Sequence, residues 1–322
     1  MIVSMNLYDL IYSLYVHISF MTLIYMLIFM FILYSIYTSV INTWFVKNNQ
    51  VDYDTFSKYF IQVASKDNYF MNYGYWDAST HTMMHANENL INIIFEKSEL
   101  ANTTGLKLLD VGCGYGEQDF NWLTKMGPTS TNHITAIDIS ETQINMAKEK
   151  CRRSKLTSRI DFQTCDALII KNKFAAGEFD RVICLESAFH YFDRPRFFKG
   201  AYEVLKSGGK FIICDIVLSD TYTPSFLNGI FIKLFSDFLN VPRCNLIKAD
   251  VWKKSIEDTG FVLEEYMDIT EKTFEPYYTE FFEKYMMNNS MPSCFAALGS
   301  GFLKYVQPFS YKLAICRRPI AV

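Results

Sequence analysis

Three glycines occupy alternate positions after an apolar run in the stretch LLDVGCGYGEQ, residues 108–118. Gly112, Gly114 and Gly116 form G-x-G-x-G and not the dinucleotide-binding pattern G-x-G-x-x-G. A pyrophosphate needs free backbone N–H groups and positive potential at a helix N-terminus. Here Glu117 stands on the first helical turn, with no lysine or arginine near it and no Walker-type Gly-Lys pair. The loop therefore predicts a ligand that is uncharged or cationic where it meets the glycines.

Acidic residues close three successive strand-like runs. Asp110 ends the first run, and a carboxylate there agrees with a cationic ligand. Asp138 ends the second, roughly 20 residues past the glycines, where a ribose diol is bound in nucleotide folds. Asp166 follows the third run, and its carboxylate can accept from an adenine amino group. Each acid alone could cap a helix or form a turn, but together they predict a nucleoside site without phosphates.

The elements that must position these residues alternate between strands and helices. Short apolar strands that alternate with helices indicate an α/β fold with a mostly parallel sheet covered on both faces. The predicted strands are Lys107–Val111, His133–Ile137, Ile160–Gln163, Phe179–Cys184, Lys210–Asp215, Phe261–Thr270 and Tyr311–Arg317. The predicted helices are Met83–Lys97, Glu117–Met126, Glu141–Arg153, Arg194–Leu205 and Ala249–Thr259. Gly208 and Gly209 predict a turn before the fifth strand.

Composition narrows the class of protein. Of 322 residues, 50% are hydrophobic and 20% are charged, which is ample material for a buried core. A net charge of -3, with no long basic run, argues against a nucleic-acid partner. The 8 cysteines include no C-x-x-C pair, so the sequence predicts neither a zinc site nor a thioredoxin-type motif.

The N-terminal segment has a different character. No Asp, Glu, Lys or Arg occurs between Asp9 and Lys47, and the apolar stretch Ser19–Tyr37 approaches the roughly 20 residues that cross a bilayer. A signal peptide fits poorly because a basic start and a small-residue cleavage site are missing; a buried soluble helix is the alternative. We expect a transmembrane helix over about residues 18–41, and Lys47 after it favours a cytoplasmic catalytic domain.

The sequence predicts three parts. Residues 1–46 form the anchor, 47–104 a linker with a helical lid, and 105–322 the catalytic domain. The stretch Thr221–Cys244 is apolar, aromatic and contains prolines near both ends, so we expect an inserted helical cap within 219–248.

Five motifs together resemble those of class I S-adenosylmethionine-dependent methyltransferases. They are LLDVGCGYGE, AIDIS, CDA, FDRVICLESAFHY and VLKSGGKFIICDI, in that order. The branch of sterol, glycine-sarcosine and natural-product methyltransferases is the most similar, because NYGYWD precedes the motifs and a cap follows the fifth strand. The resemblance implies a Rossmann-like seven-stranded sheet with the last strand antiparallel, and the donor S-adenosylmethionine.

The resemblance also implies which residues contact the donor. These are Asp110, Gly112, Gly114, Gly116, Asp138, Ile139, Asp166 and Ala167, with Glu186 near the methionine end. Tyr75 and Trp76 are expected to close over the sulfonium, since an aromatic face favours a cation. The alternative is that they are an ordinary packing pair in the lid.

Two residues are candidates for catalysis. A hydroxyl or protonated amine acceptor needs a base, and His190 after the fourth strand is the candidate. His190 could instead only pack or orient. Glu186 could serve if the acceptor is an alkene that passes through a carbocation.

These features predict a membrane-anchored enzyme that methylates a hydrophobic small molecule or lipid at oxygen, nitrogen or carbon. The alternatives are a membrane-recruited protein methyltransferase and a non-catalytic protein that binds S-adenosylmethionine. The fourth motif lacks the N/D-P-P-Y signature used on planar amino groups, which argues against a DNA adenine methylase. Oligomeric state is left open.

Overall fold

The computed structural model divides the chain into two compact units, Met1–Phe56 and Ser57–Val322. It describes residues 46–47, 50–51, 69–101, 103–223, 229, 232–233, 236, 240–286 and 308–320. In the first unit, Val46–Lys47 pairs antiparallel with Gln50–Val51. The predicted span at residues 18–41 lies outside the described residues. Within the described part of the chain, we find no helix whose length and hydropathy would suffice to span a bilayer.

The second unit is built on one seven-stranded sheet, which confirms the predicted α/β fold. The strands are β1 (Lys107–Val111), β2 (His133–Asp138), β3 (Ile160–Thr164), β4 (Phe179–Leu185), β5 (Leu205–Leu218), β6 (Val262–Asp268) and β7 (Phe309–Arg317). Their order across the sheet is β3-β2-β1-β4-β5-β7-β6. The last strand, β7, runs antiparallel to both neighbours and the other pairings are parallel, as predicted.

The helices cover both faces of the sheet. They are α1 (Met83–Lys97), α2 (Glu117–Met126), α3 (Glu141–Arg153), α4 (Ile170–Lys173), α5 (Arg194–Val204), α6 (Ala249–Glu257) and α7 (Phe274–Met286). The predicted bounds of the first three are confirmed, and α5 and α6 end one and two residues earlier than predicted. Thr82 caps α1 and Ser140 caps α3, each accepting from a main-chain N–H three residues on.

Strand β1 shows why two cores form. Successive side chains of a strand point to opposite faces. Leu108 therefore packs in the cluster that contains Trp122 and helices α1, α2, α3 and α7. Leu109 packs in the opposite cluster with Trp252, where α4, α5 and α6 cover the sheet. The doubly covered sheet leaves its carboxyl edge as the place where the acidic strand ends meet.

Strand β5 differs from its prediction. It begins at Leu205 and includes Gly208 and Gly209, which the sequence assigns to a turn. The register with β4 shifts in this region, and Gly208 has a left-handed φ of 77°. The glycines thus form an irregularity inside the strand, because the pairing with β4 passes from Leu205 directly to Lys210.

The expected cap occupies residues that are described only in part. Residues 224–228, 230–231, 234–235 and 237–239 lie outside the described set, so its helical character stays a prediction. Its two ends are adjacent, since the main-chain N–H of Leu218 donates to the carbonyl of Ile247 over 2.9 Å. The segment between Leu218 and Ile247 therefore begins and ends beside the carboxyl end of β5.

Candidate active site

The glycine loop uses its three glycines for two different reasons. Gly112, Gly114 and Gly116 have φ values of 81°, 57° and 75°, which favour glycine. A Cβ on Gly112 would lie 2.0 Å from Oγ of Ser187, and one on Gly116 would lie 2.5 Å from the Phe162 ring. At Gly114 nothing comes closer than 3.5 Å. Side chains of the protein therefore exclude a Cβ at Gly112 and Gly116, whereas a Cβ at Gly114 would make only ordinary contacts, with Gln143 and Met71.

Asp138 lies beside Gly114 in this loop. Its Oδ2 accepts from the N–H of Gly114 over 3.0 Å, and its Oδ1 accepts from the N–H of Ser140 over 2.9 Å. The N–H groups of Gly112 and Cys113 both donate to the carbonyl of Ile137, at 2.8 and 3.0 Å. The end of β2 and the glycine loop are thus held together, and the predicted ribose carboxylate stands at Gly114.

Asp166 is held next to Asp138 by the backbone. The N–H of Cys165 donates to the carbonyl of Asp138 over 2.9 Å. Asp166 Oδ1 caps the short turn Ala167–Ile169 by accepting from the N–H of Leu168 over 2.8 Å. Capping uses one acceptor position of a carboxylate that offers about four, so it does not exclude a ligand role.

Two predicted contacts flank these acids. Ile139, which follows Asp138, is 59% exposed, and Ala167, which follows Asp166, is buried. The structure therefore brings together Gly114, Asp138, Ile139, Asp166 and Ala167 at neighbouring strand ends.

Asp110 occupies a different position, beneath the loop. It is completely buried, and its Oδ2 accepts from Nε2 of Gln118 over 2.8 Å. Burial raises the pKa of Asp110 to about 7. Burial and the charge of Asp110 also raise the pKa of the buried Asp119 well above its usual range. Burial and mutual repulsion disfavour two adjacent charged carboxylates, so the pair retains a proton near neutral pH. The pair lies in the core next to the glycine loop. Direct contact of Asp110 with the donor stays a prediction.

Glu117 has a partner that the sequence argument did not include. Nζ of Lys150, on α3, lies 2.5 Å from Oε1 of Glu117 and 4.6 Å from the centroid of the Phe120 ring. The expectation that no cation stands near Glu117 is therefore wrong, because tertiary folding brings α3 against α2. The glycine spacing, together with Asp138 and Asp166, still predicts a ligand without phosphates at the loop.

Glu186 lies directly after β4 in a strained backbone conformation. Its φ of 51° is left-handed, which costs a non-glycine residue on the order of 1 kcal/mol. Its Oε1 accepts from the N–H of Tyr73 over 2.8 Å and from the hydroxyl of Tyr311. Burial raises the pKa of Glu186 to about 8, against the lowering effect of these two donors. A carboxyl that changes charge near pH 8 stands where the methionine end is predicted.

In the aromatic loop of the lid, the backbone of Tyr73 contacts Glu186, whereas the Trp76 side chain packs in the core. Trp76 is 8% exposed, and its indole N–H donates to the Tyr73 carbonyl over 3.2 Å within the core. Tyr75 is partly buried, and its N–H donates to the carbonyl of Ala86 over 2.8 Å. The Tyr73 ring packs against Phe274 with 5.3 Å between centroids. Sequence reasoning missed Tyr73, although it lies in the same NYGYWD motif; the sulfonium contacts of Tyr75 and Trp76 stay predictions.

An apolar pocket adjoins the lid at the carboxyl edge of the sheet. Tyr73 contributes to its wall, so the pocket borders on the lid residue that holds Glu186. Its other walls come from the turn after β4, the end of β5, the end of the cap and α7. They include Phe189, Ile216, Val241, Asn245, Leu246 and Tyr278. The lining is almost entirely aliphatic and aromatic, and the cavity it encloses has a volume of about 10 Å³, roughly the space of one water molecule. An acceptor would therefore enter only after these walls move apart.

His190 lies beside this pocket, on the short turn Ala188–His190 after β4. Its Nδ1 lies 3.2 Å from the carbonyl of Asn240 at the end of the cap, and its ring centroid lies 4.0 Å from that of Phe189. Phe189, and not His190, lines the described pocket. His190 thus lies next to a wall of this pocket, and its role as a base stays a prediction.

The site as a whole fits the cofactor that the resemblance implies. A sulfonium nucleoside needs a loop without bulk, carboxylates for the ribose and adenine, and no phosphate cradle. Gly114 supplies the first, since it has no Cβ and lies within hydrogen-bond distance of Asp138. Asp138 and Asp166 supply the second at adjacent strand ends.

Comparison with known proteins also indicates a methyltransferase. A family model described as "Methyltransferase domain" matches residues 102–257. Erythromycin 3''-O-methyltransferase of Saccharopolyspora erythraea is 32% identical over 227 residues, which cover 66% of this chain and 69% of that protein.

Two solved structures share the fold. One is a putative sarcosine dimethylglycine methyltransferase from Galdieria sulphuraria, with a TM-score of 0.69, 14% identity, and coverage of 83% of this chain and 99% of that one. The other is geranyl diphosphate C-methyltransferase from Streptomyces coelicolor A3(2), in complex with S-adenosyl-L-homocysteine, with a TM-score of 0.64, 16% identity, and coverage of 82% and 97%.

Proposed function

The chain belongs to the class I S-adenosylmethionine-dependent methyltransferases of the small-molecule type, and on that premise we propose that it methylates a hydrophobic small molecule or lipid at a membrane. The observation that supports this proposal is the aromatic and aliphatic lining of the small cavity next to Tyr73, at the same sheet edge as Gly114 and Asp138; the cavity must widen to admit an acceptor. Its wall of aromatic and aliphatic side chains would gain free energy by burying an apolar acceptor, at about 25 cal/mol per Å².

The donor would be held by residues at the ends of β1, β2, β3 and β4. Gly114 would border it, Asp138 would accept from the ribose hydroxyls, and Asp166 with its neighbour Ala167 would meet the adenine. Glu186 would face the methionine part, where its negative form attracts a cation. When bound, S-adenosylmethionine supplies a methyl group that is already activated on sulfur.

The remaining work of the protein is alignment, exclusion of water and removal of a proton. The pocket wall formed by Phe189, Ile216 and Leu246 would orient an apolar acceptor and keep water out. A hydroxyl acceptor must also lose its proton, and His190 beside Phe189 is the proposed base. Glu186 is the second candidate, since its pKa of about 8 lets it exist in both forms near neutral pH.

The membrane location rests on the amino-acid sequence. Residues 18–41 contain no Asp, Glu, Lys or Arg, and such a segment partitions into hydrocarbon. We place the anchor in residues 1–46, a linker and lid in 47–104, and a cytoplasmic catalytic domain in 105–322. Full-length protein should stay in the membrane pellet after alkaline carbonate extraction; its release into the supernatant would contradict the anchor.

The test of the activity is transfer of a labelled methyl group. The full chain is incubated with membranes of the organism that makes it and with methyl-tritiated S-adenosylmethionine. The tritium in an organic-solvent extract of the mixture is then measured. We expect label in the extract with the wild type and background counts with Asp138→Ala. Asp161→Asn is the matched control, because Asp161 is an exposed acid within β3 that pairs with Gln163 away from the site. Label in the protein fraction alone would instead support a protein methyltransferase.

A further inference from the structure

A buried polar cluster connects three walls of the apolar pocket, and the proposed chemistry makes no use of it. It consists of Arg194 at the start of α5, Asp215 in β5 and Asn245 at the end of the cap. Arg194 is 2% exposed, Asp215 is completely buried and Asn245 is 3% exposed. Burying such groups is costly unless each is hydrogen-bonded, so their partners define what the cluster holds in place.

Arg194 joins the cap to the sheet. Its Nη1 donates to Oδ2 of Asp215 over 2.8 Å. Its Nε donates to Oδ1 of Asn245 over 2.9 Å, and its Nη2 donates to the carbonyl of Asn245 over 2.6 Å. Oδ2 of Asp215 also accepts from the indole N–H of Trp252 over 2.8 Å. The planar guanidinium thus fixes the distance between the end of the cap and β5.

Asn245 in turn holds the turn that carries His190. Its Nδ2 donates to the carbonyl of Phe189 over 2.9 Å and to the carbonyl of Tyr191 over 2.6 Å. These are the residues immediately before and after His190. The orientation of the amide follows from its partners, since Arg194 can only donate and the two carbonyls can only accept. One side chain therefore clamps the backbone on both sides of the proposed base.

We infer that Asn245 and Arg194 are positioning residues for the acceptor side of the reaction. They hold the His190 turn and the end of the cap against β5, and so determine the geometry of base and acceptor without contact with the donor. This inference rests on the proposed function. Phe189 and Ile216 line the pocket beside Asn245, so a shift of the clamp would move base and wall together. A misplacement of about 1 Å can cost roughly a hundredfold in rate.

The first test follows the clamp without any acceptor. Arg194→Lys keeps the charge opposite Asp215 but loses the planar fork that holds Asn245. Hydrogen–deuterium exchange of the full chain should become faster in peptides that cover residues 187–191 and 240–247, and stay unchanged at the glycine loop. Asn245→Asp, which places a carboxylate against the two carbonyls, should do the same more strongly. Equally faster exchange in the glycine loop, or unchanged exchange at residues 187–191, would overturn the inference that Asn245 and Arg194 hold the His190 turn.

The matched control is Lys210→Met. Lys210 is a buried charge on the same strand as Asp215, nearer the start of β5, where its Nζ lies 2.6 Å from Glu99. Loss of this pair should lower overall stability and leave exchange at 187–191 at the wild-type level relative to the rest of the sheet. If the control variant accelerated the same peptide selectively, the effect would be general destabilisation and the inference would fail.

The second test uses transfer of labelled methyl to the membrane extract. In Arg194→Lys, kcat should fall at least about tenfold and the apparent KM for extract should rise, while the Kd for S-adenosylmethionine stays within about twofold. Unchanged transfer despite faster local exchange would overturn the positioning role. If the wild type transfers no label, the proposed function fails on its own, and the exchange experiment still decides whether the clamp exists.

Discussion

The main-chain N–H of Tyr73 donates to Oε1 of Glu186 over 2.8 Å, which joins the N-terminal lid to the end of β4 across 113 residues of sequence. The hydroxyl of Tyr311 donates to the same oxygen. The lid, the carboxyl and β7 therefore meet at one atom. Because a carboxylate is a better acceptor than a carboxylic acid, the charge of Glu186 affects both the hold on the lid and any nearby cation.

Glu186 should make binding of S-adenosylmethionine pH-dependent. Burial raises its pKa to about 8, so the carboxyl is mostly neutral below that pH and charged above it. The donor carries positive charge, so its affinity should increase as pH rises from 7 to 9. Isothermal titration at both pH values should show a larger gain in affinity for the wild type than for Glu186→Gln. The variant serves as the control, because titration of the donor itself affects both proteins equally. Equal gains in the two proteins would contradict this assignment.

The buried acids under the glycine loop should cost stability at high pH. The pKa of Asp110 is raised to about 7 and that of Asp119 is raised well above its usual range, both chiefly by burial. A raised pKa in the folded state contributes stability that is complete below the unfolded value, near 4, and is lost as pH rises through the folded value.

The free energy of unfolding of Asp119→Asn, relative to that of the wild type, should therefore increase between pH 5 and pH 8. The gain grows over this interval because the carboxyl ionises in the unfolded chain while it stays protonated in the folded one. Thermal unfolding of both proteins in the same detergent at the two pH values measures it. A difference in melting temperature that does not vary with pH would refute the shared-proton account.

Substitution of two glycines in the same loop should separate folding from binding. Gly112→Ala would place a Cβ 2.0 Å from Oγ of Ser187, so the variant should fold poorly or melt far below the wild type. Gly114→Ala meets nothing within 3.5 Å and should lose only about 1 kcal/mol from its left-handed φ. Its affinity for S-adenosylmethionine should nevertheless fall at least about tenfold, since a methyl group enters the ligand space. Wild-type affinity in Gly114→Ala would show that this side of the loop does not face the donor.

Residues in local patterns were predictable from the sequence. The alternation of strands and helices gave the sheet, and the acids after β2 and β3 came together because parallel strands end at the same edge. Residues defined by distant contacts were not predictable. Lys150 meets Glu117 across 33 residues, Arg194 meets Asn245 across 51, and Tyr73 reaches Glu186 across 113. No periodicity or motif in the sequence indicates these contacts, because they depend on how helices and loops pack against the sheet in the folded protein.

The most direct measurement of the central claim is binding of S-adenosylmethionine to the full chain by isothermal titration, with Asp138→Ala and Asp161→Asn compared to the wild type. Hydrogen bonds to a charged group contribute about 1.5–3 kcal/mol, so Asp138→Ala should bind roughly ten- to hundredfold more weakly. Asp161→Asn, in β3 but away from the carboxyl edge, should bind like the wild type. A wild-type protein that binds no S-adenosylmethionine, or an Asp138→Ala variant with undiminished affinity, would contradict the account.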